Sequence, residues 1–194
     1  MSKLRVLCLK EATQSILSDV YKLNELLAPM VGSLKSPEEL RSLIEMSSHS
    51  FYALKNHQLA GYVVCFKEQS NYHSQNYRHF NGKFSKFCYI DRVGVPRDLE
   101  NQGIGTELYN YIFNIDDFIN ARFCAEVNVK PMNEISLNFH RKLGFKETST
   151  RLINKEHEYV GIWRGEYIEF ANHQRKTDHL YHPDYVRKTL IVGY

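Results

Sequence analysis

The run VGVPRDLENQGIGTELYNYIFN, residues 93–114, reads as a strand that turns sharply into a helix, and the helix opens on glycine. Gly103 and Gly105 stand in its first turn, although glycine costs a helix interior about 1 kcal/mol against alanine. Ile104, Leu108, Ile112, Ile115 and Ile119 then recur at helical spacing as one apolar stripe, so the predicted helix must fold back over a sheet. Two reasons for the glycines stand side by side. A tight turn can require them for geometry alone. Alternatively, glycine lets a ligand approach a helix start, where unpaired N–H groups and the positive end of the dipole favour phosphate.

Two familiar phosphate motifs are excluded. No Gly-Lys-Ser/Thr follows, so this is not a Walker loop. The third glycine of a dinucleotide fingerprint is replaced by Leu108, and the unit lies in mid-chain rather than at the opening of a fold.

The remaining pattern alternates strands and helices. Residues 4–10 predict a strand, and from Thr13 onward Ile16, Val20, Leu23 and Leu27 share a helix face. Ser36, Pro37 and Glu39 form a helix start with a capping box, followed by Leu40, Leu43 and Ile44. FYALKN and QLAGYVVCFKE predict a hairpin around Asn56 and His57. Residues 69–86 are polar and aperiodic, and read as a long loop, functional or disordered. FCYIDRVGV, CAEVNV, FKETSTRLI and EYVGIW predict strands, with NEISLNFHRKL a helix between the second and third. The expected fold is α/β, a mixed sheet flanked by helices. A single domain is expected over residues 1–165, and residues 166–194 read as a C-terminal extension in which TLIVGY suits a closing strand.

With 194 residues the chain suits one domain, and its formal net charge of +3 makes no case for nucleic acid while not opposing an anionic ligand. No run approaches the ~20 apolar residues of a membrane span, and the N-terminus lacks a signal-peptide core, so no membrane partner is expected. Cys8, Cys65, Cys88 and Cys124 lie in apolar runs without ligand spacing, which predicts buried free thiols in a reducing cytoplasm and no metal site. His173, His179 and His182 have no acidic partner at metal spacing. A homodimer stays open.

Glu100-Asn101-Gln102-Gly103-Ile104-Gly105 resembles the Arg/Gln-x-x-Gly-x-Gly/Ala signature of the GNAT superfamily of acyl-CoA N-acyltransferases. The run from Asn133 to Phe145, NEISLNFHRKLGF, resembles that family's second signature, and the two stand in the family's order over roughly residues 4–164. YIDR with EVNVKPMN looks like a little-characterised branch of predicted bacterial acetyltransferases. The resemblance implies a splayed sheet, open between the strands of Val93 and Glu126, and acetyl-CoA as co-substrate. It implies backbone of Val93, Gly94 and Val95 against the pantetheine arm. Backbone N–H groups of Asn101, Gln102, Gly103, Ile104, Gly105 and Thr106 would hold the pyrophosphate, with Asn133 and Ser136 near the arm. Glu100 departs from the pattern, since a carboxylate stands where the family has Arg or Gln.

Acyl transfer to an amine needs a base, a stabilised oxyanion and a protonated leaving thiolate. Glu126 is the candidate base: it shares a strand face with Asn128 in a run expected to be apolar on both faces, where burial raises a carboxyl pKa. A structural carboxylate satisfied by backbone or by Arg92 is the competing account for Glu126. Asp91 is the second candidate base, and its competing account is a partner for Arg92. His140 is the candidate acid, sharing a helix face with Asn133 and Ser136 beside a core stripe of Ile135, Phe139 and Leu143. The family usually has Tyr there. The function expected is N-acetyl transfer to a primary amine of a small molecule or peptide. Its alternatives are a CoA-binding regulatory module without turnover, or an acyltransferase acting on aminoacyl-tRNA.

Overall fold

A computed structural model describes residues 4–152 and 158–164. The chain begins with β1 (Arg5–Cys8) and α1 (Gln14–Leu27), then α2 (Pro37–Met46), β2 (His49–Lys55) and β3 (Gln58–Lys67). Next come α3 (Gln75–Asn81), β4 (Phe87–Gly94), α4 (Ile104–Phe113) and β5 (Arg122–Lys130). The last elements are α5 (Glu134–Lys142), β6 (Lys146–Leu152) and β7 (Glu158–Arg164). The fold is α/β, as expected. The predicted extension from residue 166 and its closing strand lie outside the described residues.

Local chemistry sets most boundaries. Thr13 and Ser36 accept from Ile16 and Glu39 N–H to cap α1 and α2, and Pro37 takes the first helical turn. The carboxylate of Glu39 reaches back one residue further than a capping box requires, accepting from the N–H of Lys35 instead of Ser36. Asn56 and His57 both have positive φ, 52° and 64°, which a two-residue turn of type I′ demands, so β2 and β3 pair as a hairpin.

The described residues form two compact units: residues 4–85 with 89–119, and residues 86–88 with those described from 120 onward. In the first, strands run in the order β1-β2-β3-β4, with β1–β2 and β2–β3 antiparallel. Successive residues of β3 meet different helices: Gly61 lies against Ile104 and Leu108 of α4, while the buried Tyr62 donates to Asn24 of α1. In the second unit, β5 lies beside the start of β4, with Arg122 N–H donating to Lys86 O at 3.3 Å. Strand β7 then pairs antiparallel with both β5 and β6. Phe123, Cys124, Ala125 and Val127 are buried with Leu137 and Phe145.

Three expectations are corrected. Residues 69–86 are not a loop throughout: Ser74 caps α3, which buries Tyr77 and Phe80. The ring of Tyr89 lies 5.9 Å from Tyr77 and 5.7 Å from Phe80. This apolar face consists of aromatic rings scattered among polar residues, which hides its periodicity. The apolar stripe of α4 stops at Ile112, because the helix ends at Phe113 and Phe118 becomes the buried residue while Ile119 is exposed. Finally, Cys8 is half-buried and only Cys65, Cys88 and Cys124 are fully enclosed; all four are free thiols, and burial pushes the Cys124 thiol well up.

Candidate active site

In the first unit the glycine turn is a sequence of unusual backbone angles. Arg97–Leu99 make one 3-10 turn, Asn101 is left-handed at φ 59°, and Gly103 is left-handed at φ 80° as the N-cap of α4. Only glycine adopts that last conformation without strain, so geometry does require Gly103. The turn is also accessible. A Cβ added at Gly103 would meet nothing within 4 Å, and no side chain caps the helix. The first intrahelical bond runs from Glu107 N–H to Gly103 O at 2.9 Å, so the N–H groups at the start of α4 precede the helical ladder and point out of it. Exposed donors at the positive end of a helix suit an anionic group, which is the fit that the pyrophosphate of acetyl-CoA requires.

The flanks of this turn are held by side chains. Gln102 donates to Asp98 O at 3.0 Å and accepts from Lys55 Nζ at 2.6 Å. On the strand side, Val93 and Val95 are half-exposed while Gly94 is buried. A Cβ at Gly94 would run into the Tyr62 ring and come within 2.9 Å of Leu27 Cδ1, so α1 packs directly on the β4 backbone. Thr106 is half-exposed and Ile104 is buried beneath the turn.

Asp91 and Arg92, one step earlier on β4, form a buried ion pair with side chains 7% and 9% exposed and Nε–Oδ2 at 2.9 Å. Arg92 Nη1 donates to Asn24 Oδ1 at 3.0 Å and to Gly32 O at 3.1 Å. Tyr72 donates to Asp91 Oδ1 at 2.7 Å, and Tyr62 donates to Asn24 Oδ1 at 2.7 Å. Both oxygens of Asp91 are therefore already engaged, one by Arg92 and one by Tyr72, a poor arrangement for a base. Burial opposes the charge on Arg92, but Asp91 outweighs it and holds the guanidinium above its ordinary range. Burial, then the charge of Asp91, push the Tyr72 phenol well up. Glu25 steadies the same corner. Burial works against its charge, yet hydrogen bonds from Ser33, Leu34 and Asn24 keep its carboxyl below the usual range.

In the second unit Glu126 is half-buried with Oε2 withdrawn from solvent, opposite Gly161 of β7, and Asn128 is buried two residues on. Asn133 caps α5: its Oδ1 accepts from Ser136 N–H at 3.1 Å, and its own N–H donates to Asn128 O at 2.9 Å. The glycine of the second signature closes the same helix. Gly144 is left-handed at φ 83°, its N–H reaches Arg141 O, and Phe145 N–H reaches His140 O, each at 2.9 Å. That is a Schellman end, and the apolar contact that usually accompanies it is here His140 against Phe145, rings 5.1 Å apart.

His140 lies against Ser136 on the face predicted for it, but that face is buried and the predicted core stripe is not. Leu137 and His140 are the buried residues of α5, while Ile135 is 69% exposed and Phe139 and Leu143 are only half-buried. The imidazole Nδ1 lies 2.8 Å from Ser136 O, an atom that can only accept, so the neutral ring carries its proton on Nδ1. Burial lowers its pKa to about 4.

The sequence is matched by the model of the acetyltransferase (GNAT) family over residues 17–145. The chain belongs to the GNAT family. It is an acyl-CoA N-acetyltransferase, with acetyl-CoA as co-substrate and an amine as acceptor. N-alpha-acetyltransferase 50 of Danio rerio is 24% identical over 143 residues, 74% of this chain and 76% of that protein. Arabidopsis thaliana Naa50, solved with the bisubstrate analogue CoA-Ac-MVNAL, superposes with TM-score 0.60 at 18% identity, over 82% of this chain and 97% of that one. The ribosomal-protein-S18-alanine N-acetyltransferase of Escherichia coli superposes with TM-score 0.58 at 13% identity, over 83% and 92%. These GNAT structures share the fold. Among the described residues no group of three or more His, Cys, Asp or Glu could hold a metal, and no helix is long and apolar enough to cross a membrane. The pairing of Asp91 with Arg92, the competing account for Asp91, is present. Sequence reading missed Lys55 and the extension of that pair to Asn24 and Tyr72, because nothing local to those residues marks their partners.

Proposed function

We propose that this GNAT enzyme acetylates the α-amine of a peptide, or a small primary amine, by direct attack on acetyl-CoA. The observation that carries the reading is the open left-handed turn at Gly103, where the N–H groups at the start of α4 point out of the helix with no side-chain cap. Backbone of Asn101 to Thr106 holds the pyrophosphate, and backbone of Val93, Gly94 and Val95 pairs with the pantetheine arm. Asn133 and Ser136 stand near that arm. The relatives named N-alpha-acetyltransferase and the peptide-bearing bisubstrate analogue support a peptide α-amine. Such an amine has a pKa near ~8 against ~10.4 for lysine, so it is the less demanding nucleophile to deprotonate. Four free thiols suit work in the cytoplasm.

Glu126 is the base. It draws the proton from the attacking nitrogen through water while the C–N bond forms and the C–S bond breaks. Asp91 is the weaker candidate because Arg92 and Tyr72 occupy both its oxygens. His140 gains no support as an acid. A ring with its proton committed to Ser136 O must be charged before it can donate from Nε2, and burial makes that form scarce at pH 7. The departing thiolate then takes its proton from solvent.

The test is CoA release measured against peptides with free and blocked N-termini, polyamines and amino acids. Free α-amines should be turned over and blocked peptides should not. Glu126→Gln should slow turnover by about 10²–10⁴-fold with acetyl-CoA affinity unchanged. Wild-type turnover in Glu126→Gln would remove Glu126 as the base.

A further inference from the structure

The turn that faces the cofactor is poorly charged for its task. From Arg97 to Glu107 it carries a single cation, Arg97, against three carboxylates, Asp98, Glu100 and Glu107. Backbone N–H groups supply directional donors there, but the side chains around them set an unfavourable field for a pyrophosphate.

A cation does reach the turn from another element. Lys55 is the last residue of β2, and its Nζ lies 2.6 Å from Oε1 of Gln102, the residue immediately before Gly103. Its placement is rigid at the backbone level. The left-handed pair Asn56 and His57 closes the hairpin directly after it, and Lys55 faces Gln58 in the β2–β3 register. Further along the same strand, Phe51 meets Tyr111 of α4 with rings 4.8 Å apart, so β2 and α4 are packed together. The ammonium is thus carried on a strand that packs against the helix whose N-terminus faces the anion. Gln102 is itself tied to Asp98 O, so its amide holds the lysine at the rim of the glycine turn. An ammonium has three donors, and one to Gln102 leaves two for an incoming oxygen.

We propose that Lys55 is a ligand of the acetyl-CoA phosphates, foremost the pyrophosphate, and that it supplies the positive charge the glycine turn lacks. This rests on the reading of that turn as the cofactor site. The expected contribution is that of a solvent-exposed ion pair: a few-fold in affinity, and sensitive to salt.

The experiment is calorimetric titration of the full chain with CoA, dephospho-CoA and pantetheine at low and high salt. Lys55→Gln should weaken CoA binding about three- to five-fold at low salt, and Lys55→Glu by about ten-fold. Lys55→Arg should retain most of the affinity, and the weakening should shrink at high salt. Lys22→Gln, at an exposed lysine paired with Asp19 on α1, should leave affinity unchanged. A Lys55 effect that persists with dephospho-CoA supports contact with the pyrophosphate, and one that vanishes supports contact with the 3′-phosphate instead. Equal CoA affinity in wild type and Lys55→Glu overturns the proposal. So does an equal loss with phosphate-free pantetheine, or an equal loss in Lys22→Gln. A wild-type protein that binds no CoA overturns the reading of the turn itself, a result distinct from the others.

Discussion

At the scale of single residues, His140 and the Asp91–Arg92 pair show how burial sets chemistry. His140 has a folded-state pKa of about 4 against an ordinary value near 6.5. Between those values the unfolded chain binds a proton that the folded chain refuses, so stability falls as pH drops through 6.5 and the loss is complete below about 4. Sign and size follow from linkage: about 2 kcal/mol is expected to disappear between pH 7 and 5. His49, whose pKa burial also lowers, acts in the same direction. Urea unfolding of wild type and His140→Leu at both pH values isolates the first term, since the variant should lose about 2 kcal/mol less over that interval. An equal pH dependence in both would show that His140 titrates normally. The ion pair is tested by removal of one member. Arg92→Met strands the enclosed Asp91 carboxyl without its ion-pair partner and should cost about 3–5 kcal/mol, whereas Arg92→Met with Asp91→Leu should recover much of it. Recovery failing in the double variant would mean that the loss comes from Asn24 and Gly32 rather than from the stranded carboxylate.

Elements in this fold meet through glycine and through caps. At Gly61 an added Cβ would lie 2.9 Å from Gly94 O and 3.2 Å from Ile104 Cγ2, and at Gly94 it would strike the ring of the fully buried Tyr62. Tyr62 cannot swing aside without losing its bond to Asn24. Gly94→Ala should therefore destabilise by about 1–3 kcal/mol through overpacking, read as a lower urea midpoint with an unchanged slope. A midpoint equal to wild type would show that α1 yields instead. Helix α5 depends on its cap. Asn133→Ala should cost about 1 kcal/mol, while Asn133→Asp or Asn133→Ser should restore most of it, because only an acceptor for Ser136 N–H is required. If neither restores stability, the Asn133 side chain acts elsewhere than in the cap.

For the whole molecule, the family match from residue 17 to 145 includes parts of both compact units, and ligand binding is the measurement that addresses the entire fold. Acetyl-CoA at 100 times its Kd should stabilise the native state by about 2.7 kcal/mol and raise Tm accordingly. A Gly103→Val, Gly105→Val variant that still folds should show no such shift, since Val cannot hold the φ of 80° at Gly103 and its side chain fills the space above the turn. An undiminished shift would place the cofactor elsewhere. What could be read from the sequence were features whose cause lies within a few residues: the Ser36 cap, the Asn56–His57 turn, the strand, glycine turn and helix around Gly103. Such features depend on φ preferences and on donors three or four positions from their acceptors, so a short window contains all their physics. The burial of His140 lay beyond that reach, because the periodicity of α5 allowed two neighbouring faces and only packing against Phe145 chose between them. The bond from Lys55 to Gln102 spans 47 positions and that from Arg92 to Asn24 spans 68. Pairings at that distance along the chain leave no local periodicity or cap, and only the folding of strand against helix brings their atoms within reach.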